Sequence, residues 1–206
     1  VGLCNLKKDI LFLITSQPRY LMKFPYLPRL VQEYMDWQKR FIMGLYAESR
    51  LNLRIRPHRD DYGWAIVERL KDLGTRIEVS PWEVSLDIEL NKCRIFVCDH
   101  LSTTYLQALV KNIPTILFWS SKNNPLKEEA QPYFDFLRDV GILYDNPEDA
   151  AAALSCIYDD VHNWWMEPVR QNAVAKFCNV FARREPKSLD LWSAELLKRC
   201  PVGENF

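Results

Sequence analysis

The chain has 206 residues (24.3 kDa), 48% of them apolar and 13% aromatic, with 27 basic side chains against 27 acidic ones. That length supports one ordinary domain whose core needs neither a disulfide nor a metal to hold it. The zero formal charge leaves no basic excess to release counterions, which argues against partners held by bulk electrostatics such as a nucleic-acid backbone or an anionic bilayer.

Asp9-Ile10-Leu11-Phe12-Leu13-Ile14-Thr15 is a short continuous apolar run ending in Ser16-Gln17-Pro18, the pattern of a strand buried on both faces. Leu30, Tyr34, Trp37, Phe41 and Leu45 then recur at spacings of three or four, which predicts one face of a long helix. Leu51 to Arg56 reads as a strand, Trp64 to Leu73 as a helix closed by Gly74, and Arg76 to Ser80 as a short strand. Trp82 to Asn91 reads helical, Arg94 to Cys98 as a buried strand, Thr103 to Lys111 as a helix and Thr115 to Trp119 as a strand. After the polar loop Ser120 to Gln131 come a helix over Pro132 to Val140, a strand at Ile142-Leu143-Tyr144, and a helix start at Asn146-Pro147-Glu148-Asp149. The rest is helical to about Leu197, broken near Arg184 to Ser188.

Strands alternating with helices imply parallel pairing through right-handed crossovers. The expected fold is therefore α/β, a Rossmann-like three-layer open parallel sheet with helices on both faces and a helical tail. We expect a single domain, with the α/β core over 1–145 and the C-terminal helices over 146–206. Residue 1 is Val and a strand follows almost at once, so the chain reads as a fragment or a processed product. No run of about 18 apolar residues is present to span a bilayer. Cys4, Cys93, Cys98, Cys156, Cys178 and Cys200 lie in apolar contexts without a framework spacing, which fits reduced thiols and a cytoplasmic location.

Ligands in an open α/β sheet sit outside the carboxyl ends of the strands, where strand order reverses. Four strand-following loops are rich enough in polar or aromatic groups: Ser16 to Arg19, Pro57 to Trp64, Ser80-Pro81-Trp82, and Asp99 to Thr104. In the last, Ser102, Thr103 and Thr104 bring hydroxyls to the unpaired amides of a first helical turn, a phosphate-binding arrangement. Ser102 acting only as an N-cap is the simpler alternative. The Pro57 to Trp64 loop gathers Arg56, His58, Arg59, Asp61, Tyr62 and Trp64. Arginine suits phosphate, His58 can donate or carry a proton, and aromatic rings stack on a base or a sugar. A solvated loop with Arg–Asp pairs and Trp64 turned into the core is the other reading.

Other chemistries are excluded by spacing. The six glycines form no G-x-G pair, so neither the dinucleotide fingerprint nor the P-loop is present. Cys93 and Cys98 lie five apart along a segment read as extended, which predicts opposite strand faces, and three histidines are too few to complete a metal set. No nucleophile elbow occurs. Trp164-Trp165 with Val169, Ala173, Phe177 and Phe181 has the spacing of a helix laid on the core.

Taken in order, Asp9-Ile10-Leu11-Phe12, Pro18-Arg19-Tyr20, Arg54-Ile55-Arg56-Pro57 and Asp61-Tyr62-Gly63-Trp64 are the first residues of a wider resemblance. Asp99-His100-Leu101-Ser102-Thr103-Thr104, Asn112 to Trp119, and Trp164 to Phe177 complete it. The chain resembles the carboxyl-terminal, donor-binding half of a GT-B glycosyltransferase, and more closely the transferases encoded in bacterial surface-carbohydrate loci. The resemblance implies a sugar-nucleotide donor, a carbohydrate or lipid-linked acceptor, no cofactor or metal, no nucleic acid, and a location in the cytoplasm or peripheral to the inner membrane. It implies an amino-terminal acceptor domain outside this chain, which would supply the general base. By position it puts Ser102 and Thr103 at the donor phosphate, the Arg56 to Trp64 loop beside the phosphate or leaving group with Arg56 and His58 as catalytic groups, and Ser80-Pro81-Trp82 near the base. Ser16, Asp61, Tyr62, Trp64, Asp99 and Thr104 complete the expected substrate-binding set. Related CMP-sugar enzymes carry His-Pro in the second-strand loop, whereas this chain has Pro57-His58, so CMP, UDP, GDP and CDP all stay open. A non-catalytic nucleotide-binding or interaction module, and half of a sugar-nucleotide epimerase, are the alternatives.

Overall fold

The computed structural model describes residues 9–16, 28–73, 77–122, 124–183 and 185–199. Its strands are β1 (Ile10–Leu13), β2 (Leu53–Arg56), β3 (Glu78–Val79), β4 (Ile95–Cys98), β5 (Thr115–Phe118) and β6 (Leu143–Tyr144). They form a six-stranded sheet in the order β3-β2-β1-β4-β5-β6. Every pairing is parallel, with Ile10 opposite both Leu53 and Ile95.

The helices are α1 (Pro28–Gly44), α2 (Ala47–Leu51), α3 (Ile66–Lys71), α4 (Leu86–Lys92), α5 (Thr103–Val110), α6 (Gln131–Asp139), α7 (Pro147–Ile157), α8 (Val161–Trp165), α9 (Pro168–Phe181) and α10 (Ser188–Arg199). The period-2 alternation of the strands sorts the core into two layers. Ile10, Phe12, Ile55, Val97 and Phe118 face α1, α3 and α7 through Phe41, Ile42, Ile66, Leu70 and Leu154. Leu11, Phe96, Cys98, Leu117 and Trp119 face α4, α5, α6 and α9 through Leu90, Leu109, Leu137 and Phe177. β1, β4 and β5 are buried along their whole length, as a central parallel strand covered by helices on both faces must be. The expected three-layer Rossmann-like sheet is the observed one.

Several elements differ from their predicted bounds. Leu51 closes α2 and is exposed, so β2 starts only at Leu53. Trp82 lies in a turn, and α4 starts at Leu86, where Ser85 accepts a hydrogen bond from the Ile88 amide. The buried stripe of α1 is Val31, Met35, Gln38, Phe41, Ile42 and Leu45, with Tyr34 and Trp37 on its flank. The predicted set was offset because Gln38, a polar side chain, sits on the buried face. Cys93 ends α4 rather than lying on a strand, so it joins Cys98 in one core layer instead of facing away from it. Val169 is exposed on α9, while Trp165, Ala173 and Phe177 are buried. Trp165 is fixed by its indole N–H, which donates to the Asn112 carbonyl at 3.1 Å and to the Asn112 side-chain oxygen at 2.8 Å.

Strand order reverses between β1 and β4. From β1 the chain crosses by α1 to β2 on one side, and from β4 it crosses by α5 to β5 on the other. In open parallel sheets the carboxyl edge beside such a reversal is where ligands bind.

Candidate functional site

β4 ends in Cys98 and delivers Asp99, His100, Leu101 and Ser102 to that carboxyl edge, directly before α5. Asp99 is buried, and its carboxylate accepts from the Tyr34 hydroxyl at 2.7 Å, from Gln38 Nε2 at 3.1 Å and from His100 Nδ1 at 2.8 Å. The Tyr34 hydroxyl in turn accepts from the Thr15 amide at 2.9 Å. α1 therefore ties the ends of β1 and β4 together. Burial first, and then the Asp99 carboxylate, push the Tyr34 phenol well above its ordinary pKa, so it stays a donor. Gln38 Oε1 is buried without a hydrogen-bond partner among the described residues.

Ser102 caps α5, its hydroxyl accepting from the Thr104 amide at 3.3 Å. Thr103 is exposed and Thr104 half-buried, so the first turn of α5 reaches the surface. Capping occupies the Ser102 oxygen as an acceptor and one amide, and it leaves the hydroxyl proton and the helix dipole unaltered.

On the β1 side, Ser16 is buried and its hydroxyl donates to the Asp61 carbonyl at 3.1 Å, tying the β1 loop to the β2 loop. Gln17, Pro18 and Arg19 lie outside the described residues. The Asp61 carboxylate accepts from the amides of Ala65 at 2.7 Å and Ile66 at 3.0 Å, so it caps α3 from four residues upstream. Between them the backbone is left-handed at Tyr62 (φ 54°), Gly63 (φ 80°) and Ala65 (φ 50°). Glycine accepts that geometry readily, but for Tyr62 and Ala65 it costs about 1–2 kcal/mol each. The turn raises Tyr62 into solvent and turns Trp64 against the core layer below α3.

The β2 and β3 ends form a second polar cluster. Arg56 is buried and pairs with Glu89 of α4, which is equally buried and also accepts the Ser80 hydroxyl. Arg56 also donates to the Val84 carbonyl at 2.9 Å, and its guanidinium lies over the Trp82 ring, 4.6 Å from the centroid. Outside this pair, His58 stacks on Tyr62 at 5.8 Å and meets the edge of Trp82 at 6.5 Å. The Asp60 amide donates to His58 Nδ1 at 3.0 Å. The Asp60 carbonyl lies 3.1 Å from the same nitrogen, so the loop backbone holds the ring through Nδ1. Tyr62 and Trp82 keep roughly 40–45% of their surface exposed and frame an aromatic platform beside His58.

The residues expected at the site thus divide into groups. Asp99, Ser102, Thr103, Thr104 and Ser16 gather at the switch point, and His58, Tyr62 and Trp82 form the adjoining platform. Arg56 and Ser80 are committed to Glu89, Asp61 to α3, and Trp64 to the core. Arg54 pairs with Asp9, just before β1 and away from the carboxyl edge, at 3.1 Å. Tyr34, Gln38, Glu89 and His100 were not singled out from the sequence. The signals that could have found them are polar residues on otherwise buried helix faces and a histidine inside the loop already selected.

A model of the LIC12162 family transferases matches residues 3–196. The chain belongs to the LIC12162 transferase family. Among solved structures, the catalytic domain of cholesterol-alpha-glucosyltransferase from Helicobacter pylori matches with 16% identity and a TM-score of 0.45, covering 83% of this chain and 96% of that one. A comparison with curated proteins finds no match. Among the described residues of this transferase domain, no helix is long and apolar enough to cross a membrane.

Proposed function

We propose that this domain is the donor-binding half of a GT-B glycosyltransferase, and that the β1/β4 switch point holds the phosphate of a sugar nucleotide. The observation that carries the reading is the convergence there of a capped but outward-facing α5 N-terminus, three hydroxyl residues and a braced Asp99, next to an exposed aromatic platform. Membership of a transferase family agrees with it. Breaking a sugar–phosphate bond builds negative charge on the departing nucleotide. The α5 amides and the hydroxyls of Ser102, Thr103 and Thr104 are preorganised to meet that charge without a resident metal. Tyr62, Trp82 and His58 would take the base or sugar by stacking. Arg56 then acts by holding Trp82 and the β2 loop rather than by touching phosphate.

In this proposal the acceptor is a carbohydrate or lipid-linked saccharide of bacterial surface polysaccharide assembly, handled in the cytoplasm or at the inner membrane. The acceptor contacts and the general base belong to an amino-terminal domain. The test is thermal unfolding with CMP, CDP, UDP and GDP at millimolar concentration. A nucleotide at 100 times its Kd adds about 2.7 kcal/mol, and one of the four should raise Tm by several degrees. A flat response to all four contradicts the reading and favours an interaction module.

A further inference from the structure

Asp99 is 4% exposed, and a carboxylate taken out of water needs both donors and a counter-charge. Two of its three partners are neutral. The Gln38 amide nitrogen only donates, and the Tyr34 hydroxyl, which accepts from Thr15, has its own proton free for Asp99. His100 is the partner that can carry a positive charge, and its Nδ1 must hold a hydrogen in order to donate to an ionised carboxylate. No Arg or Lys pairs with Asp99 among the described residues. The titratable groups around the ring are Cys98, whose sulfur is 3.7 Å from Nδ1, and Asp99 on its own segment, Tyr34 on α1, and Tyr105 on α5, which interacts with Cys98.

With Nδ1 committed to Asp99, Nε2 has no hydrogen-bond partner among the described residues, and the side chain keeps 17% of its surface exposed. His100 stands two residues before the cap of α5, in the loop that leaves β4 at the switch point. Resting on the phosphate-site reading above, we propose that His100 is an imidazolium braced by Asp99, which offers Nε2–H to a phosphate oxygen and binds it jointly with the first turn of α5. The contact is a charge-assisted hydrogen bond in which no covalent bond changes. Burial alone would lower the ring's pKa. The Cys98 sulfur and the Asp99 carboxylate outweigh it and carry the value up to about 10, so the cation persists through neutral pH. The switch point thereby gains a positive charge.

Calorimetric titration of inorganic pyrophosphate, and of whichever nucleotide in the panel binds, into wild type and His100→Gln tests the assignment at pH 7.5. The variant should bind both about tenfold or more weakly, a loss of the size expected for one hydrogen bond to a charged group. The matching nucleoside, which has no phosphate, should bind both proteins alike. Equal pyrophosphate affinity in the two proteins overturns the role of His100 and leaves the phosphate-site reading standing. Absence of binding of pyrophosphate and all four nucleotides to wild type overturns both. Nitrogen NMR of the wild-type histidines keeps the question open to test even if the variant does not fold. Both ring nitrogens of His100 should be protonated at pH 8, and Nε2 should shift on adding pyrophosphate. A neutral ring at pH 8, or a resonance that pyrophosphate does not move, overturns the proposal.

Discussion

Two buried ionic clusters stand side by side at the carboxyl edge of this sheet, and they are built to opposite ends. At β2, Arg56 and Glu89 neutralise each other, Ser80 and Val84 add further hydrogen bonds, and Trp82 covers the guanidinium. At the switch point, Asp99 is satisfied by Tyr34, Gln38 and His100, yet among the described residues the ring of His100 retains a nitrogen without a partner and Gln38 an unpaired oxygen. The first cluster closes on itself and behaves as scaffold. The second keeps hydrogen-bonding capacity, which is what a binding site requires. Burial and charge alone do not separate them; the valences left over do.

Breaking the closed cluster should give the largest effect. Glu89→Ala leaves Arg56 as an uncompensated buried cation, and urea unfolding should register a loss of about 3–5 kcal/mol. A loss near zero would mean that Arg56 escapes to solvent and is available to a ligand after all. At the open cluster, Asp99→Asn removes the counter-charge of His100 and should cost about 2–3 kcal/mol, together with most of the nucleotide affinity.

The pH dependence sharpens the contrast further. The folded value of His100, about 10, lies above its ordinary 6.5, so the stability it contributes is complete below about pH 6.5 and is lost as pH rises toward 10. Urea midpoints of wild type and His100→Gln should therefore lie furthest apart at pH 6 and converge by pH 10. A constant gap would show that the ring does not titrate differently in the folded state. Ser102→Ala should cost about 1 kcal/mol through the lost cap, with a separate drop in nucleotide affinity. Tyr62→Gly should gain about 0.5–1 kcal/mol by relieving the left-handed backbone while weakening nucleotide binding, a stability–function opposition expected only where the strained residue serves a ligand.

Much of the fold is legible in the sequence because it rests on local signals. The apolar runs at Ile10 to Leu13, Ile95 to Cys98 and Thr115 to Phe118 have one reading, and Ser102 and Asn146 mark helix starts with their caps. The short edge strand β3 and the helical ending of α2 at Leu51 are less visible, since their conformations depend on tertiary packing rather than on period. For the site, the Asp99 to Thr104 loop is legible from its hydroxyls. The fates of Arg56 and His100 are not. Arg56 is decided by Glu89, 33 positions away, and His100 by an Asp99 that Tyr34 holds from 65 positions away. Both depend on contacts that exist only once the sheet has assembled.

The most direct test of the central claim is a backbone amide chemical-shift map of the domain with the nucleotide that stabilises it. The account predicts the largest shifts at His100 and Ser102 to Thr104, with a second group at His58, Tyr62 and Trp82. Shifts confined to α9 and α10, with the switch point unmoved, would contradict it.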